Sequence, residues 1–359
     1  MLLPDERFMA RALELARLGW GQVSPNPMVG AVVVRGDEIV GEGAHRRFGE
    51  AHAEVEALEA AGGKTRGATL YVTLEPCVHS GKTPPCTDAI VAAGVHRVVV
   101  ASRDPNPEAA GGATSLEAAG IDVVFGPGES QAVELNAPFH NAFVSDRPWI
   151  TLKLGISLDA AIADVSRTPG WITGPGSRRR VHRLRAGSDA VAVGMGTVLA
   201  DDPLLTVREA PAPRVPPLRV VFSRSGRLPL TSRLAQRVHE APVLVFATAP
   251  DPNYDHALRE LGVDVVTASS LAEALRILAA RGVRSMLLEG GATMAGEFLA
   301  GGFVDRLILL QAPIVLGRDA LGAFSRSPGS TPNTASRWRL VSEERIDDDR
   351  LVVLAPADR

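Results

Sequence analysis

The sequence predicts an α/β protein of two domains, the second built on a largely parallel sheet. Three observations carry that prediction. The chain has 359 residues, more than one domain of the common ~100 to 200 residues accommodates. Short β-branched runs alternate with amphipathic stretches along most of it, the pattern of strands joined by helical crossovers. The charge also changes sign near residue 147. Residues 1–147 carry 12 Lys+Arg against 19 Asp+Glu (net −7), and residues 148–359 carry 26 against 22 (net +4), which together give the chain's −3.

Taken in order, residues 5–18 set Phe8, Met9, Ala12, Leu15 and Ala16 on one helical face and stop at Gly19, a usual helix terminator. Residues 29–34 and 39–43 flank Arg35-Gly36-Asp37-Glu38 and read as a hairpin. Residues 53–61 read as a helix ending at Gly62-Gly63. Residues 68–74, 97–101 and 122–125 read as short, mostly buried strands, 86–93 as a helix, and 131–143 as a closing helix. Ser145-Asp146-Arg147-Pro148 is the expected junction, giving domains 1–146 and 147–359. Strands are then expected at 149–156, 190–194, 219–222, 243–247, 263–267, 285–288 and 306–310, with crossover helices such as 271–280 between them. Residues 210–217 are a proline-rich surface loop, Arg178-Arg179-Arg180 a solvated helix face, and 325–337 a loosely ordered tail.

Composition excludes several classes. With 45% apolar and 22% charged residues, and no apolar run near the ~18 that cross a bilayer, neither disorder nor a membrane span is expected. The opening Met1-Leu2-Leu3-Pro4-Asp5-Glu6 has acids where a secretory signal has basic residues, so a cytoplasmic location is expected. An acidic first half and 4% aromatic residues argue against a nucleic-acid partner, whose binding needs basic grooves and stacking platforms. The oligomeric state stays open, homo-oligomers included.

The two cysteines of the chain, Cys77 and Cys86, rule out a disulfide framework and stand near His52-Ala53-Glu54. An imidazole and two thiolates make three zinc ligands and leave the fourth tetrahedral position to water, the arrangement of a catalytic rather than a structural zinc. Glu54 is the natural proton shuttle, taking the water proton and passing it to a ring nitrogen or leaving ammonia. That combination suits hydrolytic attack on an amino-bearing ring carbon. Pro84-Pro85 puts Cys86 near a helix start, where thiolate is favoured. One geometric condition applies: residues two apart on a regular helix lie ~200° around the axis, so His52 and Glu54 share a site only at an irregular first turn. The plainer alternatives are a surface histidine with two small buried cysteines, or a redox pair.

His52-Ala53-Glu54 with Pro76-Cys77 resembles the H-x-E and P-C signature of the cytidine-deaminase superfamily of zinc deaminases. The chain departs in having eight residues, Val78 to Pro85, between its cysteines instead of two. With that insertion, Pro25-Asn26-Pro27-Met28-Val29-Gly30 and Asp104-Pro105-Asn106-Pro107, the chain resembles, over nearly its whole length, the bifunctional riboflavin-biosynthesis deaminase-reductase family. The resemblance implies a cytidine-deaminase-like, three-layer first domain that deaminates a diaminopyrimidinone ribosylamine phosphate. Asn26, His45 and Lys82 would then contact this phosphorylated pyrimidine substrate.

In the second half, Leu152-Lys153-Leu154-Gly155, Trp171-Ile172-Thr173-Gly174, Gly194-Met195-Gly196-Thr197 and Glu289-Gly290-Gly291-Ala292 each follow or end an expected strand. Glycines at such turns let backbone N–H groups approach a phosphate, and the helix starting near Ala292 offers its positive end. No G-x-G-x-x-G is present, so spacing alone says only that a phosphate-bearing ligand can be held here. The resemblance implies the rest: a dihydrofolate-reductase-like domain that uses NADPH to reduce the ribosyl group to ribityl. By that resemblance Gly155, Trp171, Thr197, Asp201, Ser223 and the loop of Gly291, Ala292, Thr293, Met294, Ala295, Gly296 and Glu297 contact the cofactor. Arg185, Leu205, Arg208 and Glu289 contact the substrate, with Lys153 at the reduction site. Two positions depart from the family, Thr168-Pro169 before Trp171 and Ala160 in place of a usual glycine. Ser223-Arg224-Ser225-Gly226-Arg227 has no acid, which favours NADPH over NADH at a strand end beside the adenosine. Competing readings are a nucleic-acid-editing zinc deaminase with an accessory domain and a structural-zinc interaction protein. The second would have no need of Glu54.

Overall fold

The computed structural model describes residues 4–79, 84–167, 170–327, 329–331 and 333–357, and the chain divides into two units, Met1–Ser145 and Asp146–Arg359. In the first, α1 (Pro4–Ala16) precedes the hairpin β1 (Gly30–Arg35) and β2 (Glu38–Ala44). Then follow α2 (Ala53–Ala61), β3 (Thr69–Leu74), α3 (Cys86–Ala93), β4 (Arg97–Ser102), α4 (Gly112–Ala118), β5 (Asp122–Phe125), α5 (Glu129–Leu135) and α6 (Ala137–Asn141). The strands pair in the order β2-β1-β3-β4-β5, with β1 antiparallel to both neighbours and β3, β4 and β5 parallel.

The period-2 alternation of these strands makes a three-layer sandwich. Val32, Val34, Tyr71, Val99 and Ala101 pack with Phe8, Met9 and Ala12 of α1 and Ala132 of α5. The intervening Ala31, Val33, Leu70, Val72, Val98 and Val100 pack with Ala57 of α2, Ile90 of α3 and Leu116 of α4. Helix α2 lies directly on β2, because a Cβ at Gly41 or Gly43 would sit 2.2 Å from the carbonyl oxygens of Ala57 and Ala53 respectively. That close approach fixes the helix start and hence the residues around His52.

Two expectations are corrected here. The closing helix 131–143 is two helices, α5 and α6, broken at Asn136. The Asn136 side chain accepts from the Met28 N–H at 2.8 Å and donates to the Met28 carbonyl at 2.9 Å, a local bond that competes with helix continuation, and Pro138 starts the second helix. The strand 122–125 is a partly exposed edge strand, since it has a partner on one side only.

The second unit contains β6 (Trp149–Ile156), β7 (Ala161–Ala163), α7 (Pro175–Ala186), β8 (Ala190–Gly194), α8 (Met195–Asp201), β9 (Leu218–Ser223), α9 (Arg233–Gln236) and β10 (Val243–Ala247). It continues with α10 (Pro252–Glu260), β11 (Asp264–Thr267), α11 (Leu271–Ala280), β12 (Ser285–Leu288), α12 (Ala292–Ala300), β13 (Arg306–Gln311), β14 (Leu321–Gly322), β15 (Trp338–Ile346) and β16 (Asp349–Pro356). The main sheet runs β11-β10-β9-β8-β12-β6-β13-β16-β15, parallel from β11 to β13 and antiparallel at β16 and β15. One face packs Leu152, Ala192, Phe222 and Phe246 against Leu275 of α11 and Phe298 of α12, and the other packs Val191, Val193, Val221 and Val245 against Val198, Leu234 and Leu258.

The hairpin β15–β16 escapes the sequence reading because β15 is mostly exposed and carries Ser342-Glu343-Glu344-Arg345, which breaks the apolar alternation. Its turn caps α7: Asp349 Oδ2 accepts from the Gly174 N–H at 2.7 Å and the Ser177 hydroxyl at 2.5 Å. Within Arg178-Arg179-Arg180 only Arg179 is exposed, while Arg180 pairs with Glu344 at 2.7 Å. No helix among the described residues is long and apolar enough to cross a membrane.

Candidate metal centre and cofactor cleft

His52 sits outside the regular helix. It is the N-cap of α2 with extended backbone (φ −77°, ψ 160°), so its imidazole and the Glu54 side chain of the first turn both reach the same pocket. The irregular start required by the sequence is this cap. Cys77 follows β3 and Cys86 begins α3. His52 Nδ1 lies 3.2 Å from Cys86 Sγ and 3.7 Å from Cys77 Sγ, and the three donor atoms all lie within 4.8 Å of one another. Tetrahedral ligands at ~2.0 to 2.3 Å from zinc stand roughly 3.5 Å apart, so the set fits that ion.

Cys86 stands at the helix start, as expected, and its main chain also serves the second thiol. The Cys86 N–H donates to Cys77 Sγ at 3.5 Å, and the Cys77 thiol is pushed down by the Cys86 thiol's hydrogen bond and by His52, against its burial. Cys86 is pushed up by the same hydrogen bond and by burial. Glu54 is 4% exposed, and burial raises its carboxyl above the ordinary range. The surrounding pocket is about 270 Å³ and includes Asn26, His45, Phe48, Glu75, Asp104, Asn106 and Phe139. His45 Nδ1 donates to the Ala51 carbonyl at 3.1 Å, which leaves Nε2 to accept from Asn26 Nδ2 at 3.3 Å. Two predicted contacts, Asn26 and His45, are thus brought to the metal set. Lys82 lies outside the described residues.

In the second unit a cavity of about 830 Å³ opens at the C-terminal ends of the parallel strands β8, β9 and β10, where ligands of open α/β sheets bind. Trp171, Thr197, Asp201, Ser223, Gly291, Ala292, Thr293, Met294 and Glu297 line it. Gly155 does not, and Ala295 and Gly296 are buried on α12: Ala295 belongs to the core, and a Cβ on Gly296 would meet the Arg326 carbonyl at 2.6 Å. The Gly291 to Glu297 segment is therefore a helix start with one face to the cavity rather than a loop. Of the acid-free segment, Arg224 lines the cavity, whereas Arg227 pairs with Asp251 at 2.9 Å. Arg326 and the segment from Phe246 to Thr248 also line it and carried no signal in the sequence beyond strand ends.

Three of the predicted substrate residues, Lys153, Arg185 and Glu289, form a largely buried ionic cluster, while Arg208 is exposed and its side chain reaches the Thr206 hydroxyl at 3.4 Å. Glu289 accepts from Arg185 Nε at 2.5 Å and Lys153 Nζ at 3.2 Å, and Arg185 Nη1 donates to the Thr206 carbonyl at 3.0 Å. Burial alone would raise the Glu289 carboxyl, but Arg185 and Lys153 outweigh it and hold the group at about 2. His182, missed in the sequence, accepts from the Arg208 N–H at 3.3 Å and faces the same cluster. Leu205 is buried with φ 55°, a left-handed residue that turns the chain between Leu204 and Thr206. Asp201 joins cluster and cavity: it lines the cavity from the exposed end of α8, within reach of the Lys153 charge. Ala160 has φ 57°, which accounts for the usual glycine, while Thr168-Pro169 lies outside the described residues.

Residues 3–102 match the model of the family described as cytidine and deoxycytidylate deaminase zinc-binding region, and residues 148–352 match the RibD C-terminal domain. The chain is 44% identical over 335 residues to the riboflavin biosynthesis protein RibD of Escherichia coli, covering 89% of this chain and 90% of that one. It is 43% identical over 316 residues to the RibD of Aquifex aeolicus, covering 87% and 88%. Among solved structures, Acinetobacter baumannii RibD superposes with a TM-score of 0.86 at 39% identity, covering 99% of both chains. A deaminase/5-amino-6-(5-phosphoribosylamino)uracil reductase from Thermotoga maritima superposes with 0.85 at 38%, again over 99% of both. Zinc-type deaminase sandwich, reductase sheet and likeness across nearly the full length all point one way, and the chain belongs to the RibD family, the bifunctional deaminase-reductases of riboflavin biosynthesis.

Proposed function

We propose that residues 1–146 deaminate 2,5-diamino-6-(5-phosphoribosylamino)pyrimidin-4(3H)-one, and that residues 147–359 then reduce its ribosyl group to give 5-amino-6-(5-phosphoribitylamino)uracil. The cofactors are zinc and NADPH. The observation that carries the first assignment is the convergence of His52 Nδ1, Cys77 and Cys86 within 4.8 Å, with buried Glu54 lining the same pocket. His52, Cys77 and Cys86 hold the metal, which when bound supplies the acidity that makes water a nucleophile near neutral pH. Glu54 carries one proton of the water to the ring nitrogen and the second, from the hydroxyl then on the ring carbon, to the amino group, which departs as ammonia. Asn26, fixed by neutral His45, presents its amide to the pyrimidine, with Lys82 as a further substrate contact.

In the second domain NADPH supplies the reducing electrons from the cleft lined by Trp171, Thr197, Asp201, Ser223 and the start of α12. Arg208 grips the substrate phosphate with paired donors, and Arg185, whose Nε and Nη2 are taken by Glu289, adds a remaining guanidinium N–H; Glu289 holds Arg185 and Lys153 in register, and Lys153 faces the reacting ribosyl carbon. Gly155 and Leu205 shape the backbone beside them. The acidic first domain supports a small-molecule substrate over a nucleic acid, and cysteines committed to a metal support a cytoplasmic enzyme; a homo-oligomer is compatible with both.

The test is Glu54→Gln. The variant should keep its zinc and its reduction of pre-deaminated substrate while deamination falls by about 10² to 10⁴. Deamination near the parent rate would refute the assignment.

A further inference from the structure

Glu75 is 5% exposed and stands two residues before Cys77, between β3 and the metal set. Its carboxylate accepts from three main-chain N–H groups of one distant segment: Asp104 at 3.3 Å on Oε2, and Gly111 at 3.2 Å and Ala113 at 3.1 Å on Oε1. That segment forms a wall of the pocket through Asp104, Asn106 and Ala109. It also lies directly on the ligand-bearing strand end, because a Cβ at Gly112 would sit 1.8 Å from the Pro76 carbonyl oxygen. Gly111 caps α4 with φ 99° and has no side chain to satisfy the helix start, so Glu75 supplies the missing acceptor from across the fold.

We propose that Glu75 is a positioning residue of the deaminase site: one carboxylate sets the spacing between the Cys77 segment and the substrate-facing wall that begins at Asp104. The inference rests on the deaminase reading above. It follows from the geometry of acceptors. Three donors converge on two oxygens that both accept, and the buried charge they satisfy would otherwise carry a large desolvation cost. On one side the chain continues to a metal ligand. On the other the Asp104 carboxylate is oriented by its own bond from the Asn106 N–H at 2.8 Å, so a shift of the Asp104 main chain moves the carboxyl and amide groups that face the substrate.

The substitution Glu75→Gln separates positioning from folding. With its remaining oxygen on Gly111 and Ala113, the amide turns an NH₂ toward the Asp104 N–H and breaks that contact alone. In the full chain, zinc per chain, thermal unfolding, reductase rate on pre-deaminated substrate, and kcat and KM of deamination are measured. The expected result is parental zinc, melting and reductase rate, with the deaminase KM raised about tenfold or more, the worth of a bond to a charged acceptor, and kcat changed less than KM. Glu75→Ala should show the same split with a larger rise in KM. An unchanged KM in the Gln variant overturns the proposal. So does loss of zinc or of melting temperature in step with activity, which would make Glu75 a folding residue only. A parent chain that takes up zinc but does not deaminate refutes the deaminase reading and the proposal with it.

Discussion

Glu289→Gln removes the carboxylate at the centre of the second unit's ionic cluster. Its side chain is 9% exposed, with Arg185 Nε at 2.5 Å and Lys153 Nζ at 3.2 Å. Burial raises the carboxyl, yet the two cations hold it at about 2 against an ordinary 4.5. At about 1.36 kcal/mol per pH unit, that difference corresponds to about 3 kcal/mol. The sign follows from the depressed value. The contribution is fully present above the unfolded group's 4.5 and is lost as pH falls through about 2 in the folded protein. At pH 7 the variant leaves Arg185 and Lys153 facing each other without a counter-charge, and its second unit should melt roughly 6 to 12 °C lower, at about 2 to 4 °C per kcal/mol for a domain of this size. The gap should shrink steadily below pH 4.5. Thermal unfolding followed by tryptophan fluorescence in a Trp20→Phe background reads this unit, since the other three tryptophans, Trp149, Trp171 and Trp338, all belong to it. His182 titrates in the same cluster, so variant and parent are compared at each pH rather than across pH values. Equal melting at pH 7, or a gap that stays constant down to pH 3, would refute the reasoning.

The remaining expectations are narrower. Cys77→Ser with Cys86→Ser should abolish tight zinc binding, about one ion per parent chain, by removing two of three ligands; full zinc in the double variant would end the ligand assignment. Arg224→Ala should weaken NADPH against NADH by about one to two decades, the worth of a charge-assisted contact, while Arg227→Ala, already paired with Asp251, should leave the ratio of affinities unchanged. Ala160→Gly should raise the melting temperature of the second unit. A left-handed L-residue costs about 1 to 2 kcal/mol and glycine returns about 0.4 to 1 of it as unfolded-chain entropy, so the gain is up to about 1.5 kcal/mol; a lower melting temperature would contradict the strain read at φ 57°.

What was legible in the sequence, and what was not, divides on whether chemistry or packing decides a residue's place. Zinc chemistry restricts its ligands to few residue types, and a chain with two cysteines and an H-x-E offers little choice, so the convergence of His52, Cys77 and Cys86 could be expected before any fold was known. The parallel strands were legible for a similar reason, because β-branched runs buried on both faces have few other uses. Helix faces are another matter. Within the Gly291 to Glu297 segment, Thr293 lines the cavity and Ala295, two residues on, belongs to the core, a division set by the rotation of α12 over the sheet. The break at Asn136 depends on Met28, 108 residues earlier, and the Glu75 contacts depend on a segment reached only through β4, so neither leaves a local pattern to read. A polar side chain whose partners are distant main-chain groups is chosen by the assembled fold. Such residues, more than the ligands themselves, determine how rigidly the ligands and the substrate wall are held.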